Sequence, residues 1–316
     1  MKKVLYFDCF AGISGDMTLA ALLDTGVDKD AFLYEMSKLN VDGYEIKIGR
    51  ADKNGIGAAD VDVVLYNGEH DDHHHHDHDH HHHDHDHHHH DHDHHHDHEH
   101  HHDHEHHHHD HEHHHHDHEH HHHDHEHHHD HEHHHSHEHH HAHVHRNFYD
   151  VSRIIDESGI TDSAKDLAKR IFLRVALAEA KVHGKSLEEV HFHEVGALDS
   201  IVDIIGTAVL IDMIQPDEIY SSVVRDGHGF IMCQHGQIPV PVPATMEIFA
   251  AANVKLQQCD IENEMVTPTG AAIIAELAVS YGVCPEMRIV KTGYGAGKRN
   301  FKIPNVLRVL VGEVDD

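Results

Sequence analysis

Cysteine is scarce in this chain. Its four residues, Cys9, Cys233, Cys259 and Cys284, form no CxxC pair and no disulfide-dense framework, which fits a reduced, cytoplasmic setting. Long apolar runs are also missing, and no window approaches the length a membrane span needs. The opening MKKVLYFDCFAG loses its apolar run at Asp8, so it does not read as a signal peptide. Basic charge is in short supply as well. Outside one unusual tract, 240 residues carry 23 Lys and Arg against 36 Asp and Glu, a net −13. That balance argues against nucleic acid as a partner.

Histidine, in contrast, is in great excess. Five of the 57 His, namely His183, His191, His193, His228 and His235, lie outside the stretch His70 to His145, which leaves 52 within its 76 residues. Asp and Glu supply 21 more, Ser136, Ala142 and Val144 complete it, and it holds no Lys or Arg. With almost no apolar side chains, the tract cannot bury enough surface to offset the entropy of ordering, so it is expected to be a disordered insertion. Neutral imidazole suits Zn, Cu, Fe and Ni. The interleaved carboxylates orient imidazoles and raise their pKa values, so protons and metal compete near neutral pH. A solubilising linker or an affinity tag is the plainer reading, but a tag would sit at a terminus and would not alternate Asp-His with Glu-His units. The tract follows directly on a strand, in a position where a long loop insertion costs little.

The flanks read as an α/β (α+β) protein, two small α/β layers around mixed sheets. Residues 1–69 form an N-terminal subdomain, 70–145 the insertion, and 146–316 a second subdomain packed with the first. Val4–Asp8 reads as a buried strand, the loop 9–15 follows it, and a helix begins at Asp16. A glycine loop feeding a helix N-terminus is a ready anion site, which nominates Gly12, Ser14 and Gly15 for substrate. The loop has neither GK[ST] nor GxGxxG, so no nucleotide fingerprint applies. Asp8 and Asp16 are placed to hold a hydrated metal beside a phosphate, with strand-end and helix caps as the alternatives. A metal-dependent phosphohydrolase built on those two residues is a further reading. Cys9 is either a soft ligand or, as is more common, a buried structural thiol.

The most informative ordered stretch is VHFHEVGALDSIVDI. His191 and His193 share one side of an extended chain, Glu194 follows, and Asp199 or Ser200 opens an almost wholly apolar helix with Asp203 one turn after Asp199. Two His and up to three carboxylates thus meet at a helix start, nominating His191, His193 and Asp199 as metal ligands. Helix caps and hydrogen-bonded structural His are the alternatives. Glycines beside His228 and His235 allow close approach to a ligand and add both to the metal candidates. Thr267 or Thr269 caps a helix over 270–281, with hydroxyls suited to phosphate or carboxylate. Strand 287–291, the glycine loop 293–299 and strand 305–311 end the reading. Lys298 and Arg299 in that loop are either anion clamps or an ordinary basic hairpin tip.

FAGISGDM, HFHEVGALDSIVDI, GHG…HGQIPVPVPAT, TPTGAA and GYGAG…PNVLR, in that order, resemble the LarC family over essentially all of the sequence outside the tract. The resemblance implies nickel insertion into pyridinium-3,5-bisthiocarboxylic acid mononucleotide, giving the nickel-pincer nucleotide cofactor of lactate racemase and related enzymes. It also implies consumption of CTP with Mn2+ or Mg2+, and a His-rich insertion at this place. The family has a further C-terminal domain that binds the CTP and metal; this chain stops before it, so no CTP site is assigned. The expected partners are nickel, the mononucleotide, a separate C-terminal chain of the family, lactate racemase and further copies of this chain. His193 and Glu194 are the candidates for the base that takes a ring proton. The alternative function is a non-catalytic nickel store or chaperone that uses the tract alone.

Overall fold

The computed structural model of the chain describes residues 1–66, 146–192, 195–233 and 235–315. In chain order its strands and helices are β1 (Lys2–Asp8), α1 (Gly15–Asp24), α2 (Lys29–Met36), β2 (Tyr44–Lys53), β3 (Ile56–Leu65), α3 (Phe148–Glu157), α4 (Asp162–His183), α5 (Leu198–Ile214), β4 (Glu218–Ser221), β5 (Val224–Asp226), β6 (Phe230–Cys233), β7 (Gly236–Pro239), α6 (Pro243–Ala252), β8 (Leu256–Gln258), α7 (Pro268–Leu277), β9 (Ser280–Tyr281), β10 (Arg288–Ala296) and β11 (Val306–Val314). This is the expected mixed α/β class. The tract expected to be a disordered insertion lies outside the described residues.

Strands from both sides of the tract share one seven-stranded sheet, in the order β2-β3-β10-β11-β1-β4-β9. It is a mixed sheet: β1 runs antiparallel to β11 but parallel to β4. Its β2–β3 edge is a hairpin closed by Asn54 and Gly55, both at positive φ (54° and 84°). Two successive residues with φ > 0 match the twist of a tight hairpin, and the turn lets both strands run longer than the alternation alone predicts. Two-stranded pairs β5–β8 and β6–β7 complete the described strands.

Side chains on one face of β1, Leu5 and Phe7, join the main core with the helices. Tyr6, on the opposite face, donates its hydroxyl to Gly282 O at 2.9 Å, so the segment after β9 meets β1 on that side. Local signals set the helix ends. Thr161 caps α4 through Ala164 N, and Gly184 closes it in the left-handed region at φ 62°. Thr267 caps α7 through Gly270 N. Helix α7 starts and ends earlier than the expected 270–281, because Tyr281 belongs to β9 and pairs with β4.

One expectation is corrected here. Residues 293–296 are not part of a loop but the second half of β10. Their glycines serve packing rather than turning. A Cβ on Gly295 would stand 2.0 Å from Met17 O, and one on Gly293 2.1 Å from Ala21 O. Helix α1 therefore lies directly against the strand backbone, which only hydrogen at those Cα positions permits. The substitution Gly295→Ala is expected to cost about 3 kcal/mol, since backbone rather than a flexible side chain must move. Gly282→Ala, where an added Cβ meets nothing within 4 Å, should stay within about 1 kcal/mol of wild type. Denaturant midpoints of the two variants measure the contrast, and equal midpoints would remove the packing argument.

Candidate functional site

The site is built where the N-termini of α1, α5 and α7 meet. Gly12, at φ 87°, turns the loop that follows β1, and a Cβ there would lie 1.9 Å from Met265 O. Ile13 then donates to Met265 O at 3.0 Å, and Thr267 N donates to Ile13 O at 3.2 Å. The loop before α1 is thereby stitched to the segment before α7. Asp226, fully buried, anchors that segment from behind. Its Oδ1 accepts from Gly227 N (2.8 Å), Met265 N (2.8 Å) and Val266 N (3.2 Å), while its Oδ2 has no partner.

Helix α5 presents Asp199, Asp203 and Gly206 at spacings of four and three, on one face. Gly206 admits Leu19 of α1, whose Cδ1 would sit 2.8 Å from an added Cβ. One turn earlier Asp203 meets the first residue of α1: a Cβ on Gly15 would be 2.5 Å from Asp203 Oδ2 and 2.9 Å from Thr269 Cγ2. Asp203 Oδ1 is buried with no hydrogen-bond partner. Asp16, beside it, accepts from the Ser14 hydroxyl. Asp199 accepts from Ser200 N at 2.7 Å, and the helix starts at Leu198 with Ala197 as its N-cap.

These carboxylates perturb one another. Burial, then the charges of Asp16 and Asp199, push Asp203 well above the ordinary carboxylate range. Burial raises Asp16 too, against the lowering pull of Ser14 and Lys298. Carboxylates gathered in a poorly solvated space cannot all be ionised. A divalent cation could supply positive charge in place of protons, through one or two carboxylates with substrate oxygens completing its shell. Among the described residues no group of three or more His, Cys, Asp or Glu is placed to hold a metal by itself.

The other sequence candidates are distributed as follows. Gly12, Ser14, Gly15, Asp16, Asp199, Thr267 and Thr269 come together at the meeting of the three helices. Lys298 pairs with Asp60 (2.7 Å) and Asp62 (2.5 Å) of β3. Arg299 donates to Asn263 Oδ1 (2.7 Å) and Glu264 O (2.8 Å). Both basic residues are thus tied to acidic or carbonyl oxygens. Asp8 pairs with Arg308, its cross-strand neighbour on β11, through Nε at 3.0 Å and through Nη2, so Asp8 and Asp16 have different partners. Cys9 is buried, and burial pushes its thiol up to about 12, which is the structural thiol and not the thiolate ligand. His191 is exposed. His228 Nε2 lies 3.4 Å from Asp260 Oδ1, and His235 sits on the β6–β7 connection. His193 and Glu194 lie outside the described residues. Arg146, the first described residue after the tract, donates to Gly196 O at 2.9 Å and accepts from Phe192 N, which ties the start of this second described segment to the residues just before α5.

The family profile described as "Nickel insertion protein" matches residues 5–316. This chain belongs to the nickel insertion protein family. It is 45% identical over 318 residues to the pyridinium-3,5-bisthiocarboxylic acid mononucleotide nickel insertion protein of Clostridium acetobutylicum, an alignment covering 98% of this chain and 64% of that protein. It is 40% identical over 316 residues to the protein of the same name from Acetivibrio thermocellus, covering 99% and 61%. A putative nickel insertion protein of Dictyoglomus thermophilum is 38% identical over 312 residues, covering 99% and 61%. The chain thus spans about three fifths of the length of these curated relatives. No solved structure matches it.

Sequence reasoning placed Asp203 on the face of Asp199 but did not count it as a ligand. The available signal was a carboxylate one turn into a mostly apolar helix, on the same face as Asp199. Asp226 gave no such signal, since its partners are backbone groups about forty residues away. Its role has a pH signature. Burial raises its pKa from 3.8 to about 6. A raised folded-state pKa gives stability that is complete below the unfolded value and lost as pH rises through the folded one. Relative to Asp226→Asn, the wild-type chain should therefore lose up to about 3 kcal/mol between pH 4 and pH 7, then level off. Thermal midpoints of both chains across that range check this, and parallel curves would count against it.

Proposed function

We propose that this chain carries the nickel-handling part of nickel insertion into pyridinium-3,5-bisthiocarboxylic acid mononucleotide, producing the nickel-pincer nucleotide cofactor. The observation that carries the reading is the Asp16–Asp203 pair, with its unpartnered Oδ1, at the start of α1 in a chain of the nickel insertion family. The names of the relatives at 45% and 40% identity support the choice of substrate. Nickel is cargo here. The His tract collects it, and the carboxylates receive it as a hydrated ion. The first turn of α1 and the hydroxyls of Thr267 and Thr269 face the nucleotide's phosphate.

Insertion then forms two Ni–S bonds and one Ni–C bond. The ring C–H bond breaks, its electron pair stays with carbon and binds nickel, and the proton leaves to a base. His193 and Glu194, just ahead of α5 in sequence, are assigned that role. CTP with Mn2+ or Mg2+ belongs to the family's C-terminal domain in this reading. The loop 9–15 has no P-loop lysine to hold a triphosphate, so no step is routed through CTP in this chain. The separate C-terminal chain and lactate racemase are the proposed partners, homo-oligomers the proposed assembly and the cytoplasm the proposed setting. A second reading, a nickel store, is favoured by one observation, the 52 His of the tract.

The test supplies the full chain with Ni2+, the mononucleotide, CTP, Mg2+ and the C-terminal family chain, and follows the product by mass spectrometry. The expected result is a nucleotide that has gained one nickel, formed at least about tenfold more slowly by Asp203→Asn and by Asp16→Asn, the loss of one charged ligand interaction. Removing residues 70–145 should leave the rate intact at saturating nickel. If the carboxylate variants insert nickel at the full rate and removal of the tract abolishes insertion, the store reading prevails.

A further inference from the structure

Of the five His outside the tract, two form a pair that the site above does not use. Helix α4 ends at His183, and the connection between β6 and β7 carries His235. The two rings come within 5.0 Å, centroid to centroid, at 37° between planes, although 52 residues separate them in sequence. Each ring also has a polar neighbour on a ring nitrogen. Glu179, one turn back on α4, places Oε2 3.2 Å from His183 Nε2. Cys233 places Sγ 3.9 Å from His235 Nδ1. Both Glu179 and His183 are largely buried, with 14% and 21% of their side-chain surface exposed, so the carboxylate fixes that imidazole in place.

We propose that His183 and His235 form an open two-imidazole site for a borderline divalent metal, built from residues other than the carboxylates of α1 and α5. Three features carry it. A metal–nitrogen bond of ~2.1 Å sets each ring centroid ~3.2 Å from the metal, so two rings with ~90–110° between their bonds stand ~4.5–5.2 Å apart; the observed 5.0 Å falls in that range. The Glu179–His183 contact is the carboxylate–imidazole arrangement that orients metal-binding histidines. The C-terminal end of the 22-residue helix α4 adds a negative partial charge where a cation would sit. Two ligands among the described residues leave further positions for water or for a donor on an incoming carrier, which suits transfer better than storage. Imidazole selects the Ni2+ and Zn2+ class over Mg2+. Nickel as the natural occupant rests on the function proposed above; the site itself does not.

Cys233 reports on the pair even with the His tract present. The test treats the full chain with buffered Ni2+ or Zn2+ above the level that saturates the tract. Alkylation of Cys233 and of Cys284 is then timed by peptide mass spectrometry in the same sample. Either metal should slow Cys233 fivefold or more, with Cys284 unchanged, and Mg2+ should do nothing. His235→Gln, on an exposed connection that the fold tolerates, and His183→Gln should each abolish the slowing. No slowing in wild type, equal slowing at both cysteines, or slowing that survives both substitutions overturns the site. Protection that persists where nickel insertion fails would sustain this pair and count only against the insertion reading.

Discussion

The structure depends on how closely backbones approach helix α1. At its side, Gly293 and Gly295 let β10 touch the carbonyls of Ala21 and Met17. At its N-terminus, Gly12 and Gly15 let the segment before α7 and the carboxylate of Asp203 come equally near. A Cβ at any of these places would stand between 1.9 and 2.5 Å from a neighbouring atom, so something would have to move. That would dissolve the packed arrangement, because interiors are as dense as molecular crystals and absorb little displacement. The site is therefore a consequence of packing: α1 is pressed against the sheet along its length, and its first turn is pressed against α5 and α7.

This closeness explains the electrostatics. Asp203 sits in a helix whose other inward residues are apolar except for Thr207, with an oxygen that no neighbour satisfies. An unpaired buried carboxylate is costly, and a fold retains one where something else completes it. Lys298 is the nearest compensation, but it is bound to Asp60 and Asp62 of β3. The local balance stays negative, which in the proposed function favours a cation, and a phosphate only when a cation accompanies it.

Local features were legible in the sequence and distant ones were not. Thr267, one of the two hydroxyls the sequence offers as a cap, marks the start of α7, because caps act within one turn. The run at 293–297 was misread because glycine marks turns and close approach alike, and only the position of α1, nearly 280 residues earlier, distinguishes them. The pairing of Asp8 with Arg308, 300 residues apart, was equally out of reach, so a carboxylate at a strand end looked available for metal. The converging carboxylates of α5 were visible as a spacing of four. That Gly15 and Thr269 would complete the pocket required the sheet to be assembled first.

In the proposed function the tract and the described residues divide metal handling along lines set by coordination chemistry. Fifty-two imidazoles in a segment of low sequence complexity provide capacity, because any few of them form an equivalent site. They provide no position. Carboxylates held at the start of α1 provide position with little affinity, since borderline cations prefer nitrogen and sulfur donors to oxygen. In the proposed reaction that weakness is useful. A nickel ion held by two carboxylates and water is readily taken by thiocarboxylate sulfurs, whereas one enclosed by several imidazoles would resist transfer. A path running from nitrogen ligands through oxygen ligands to sulfur and carbon needs a placed, weak intermediate holder. Asp16 and Asp203, crowded by glycine contacts and short of compensating charge, have the chemistry of such a holder.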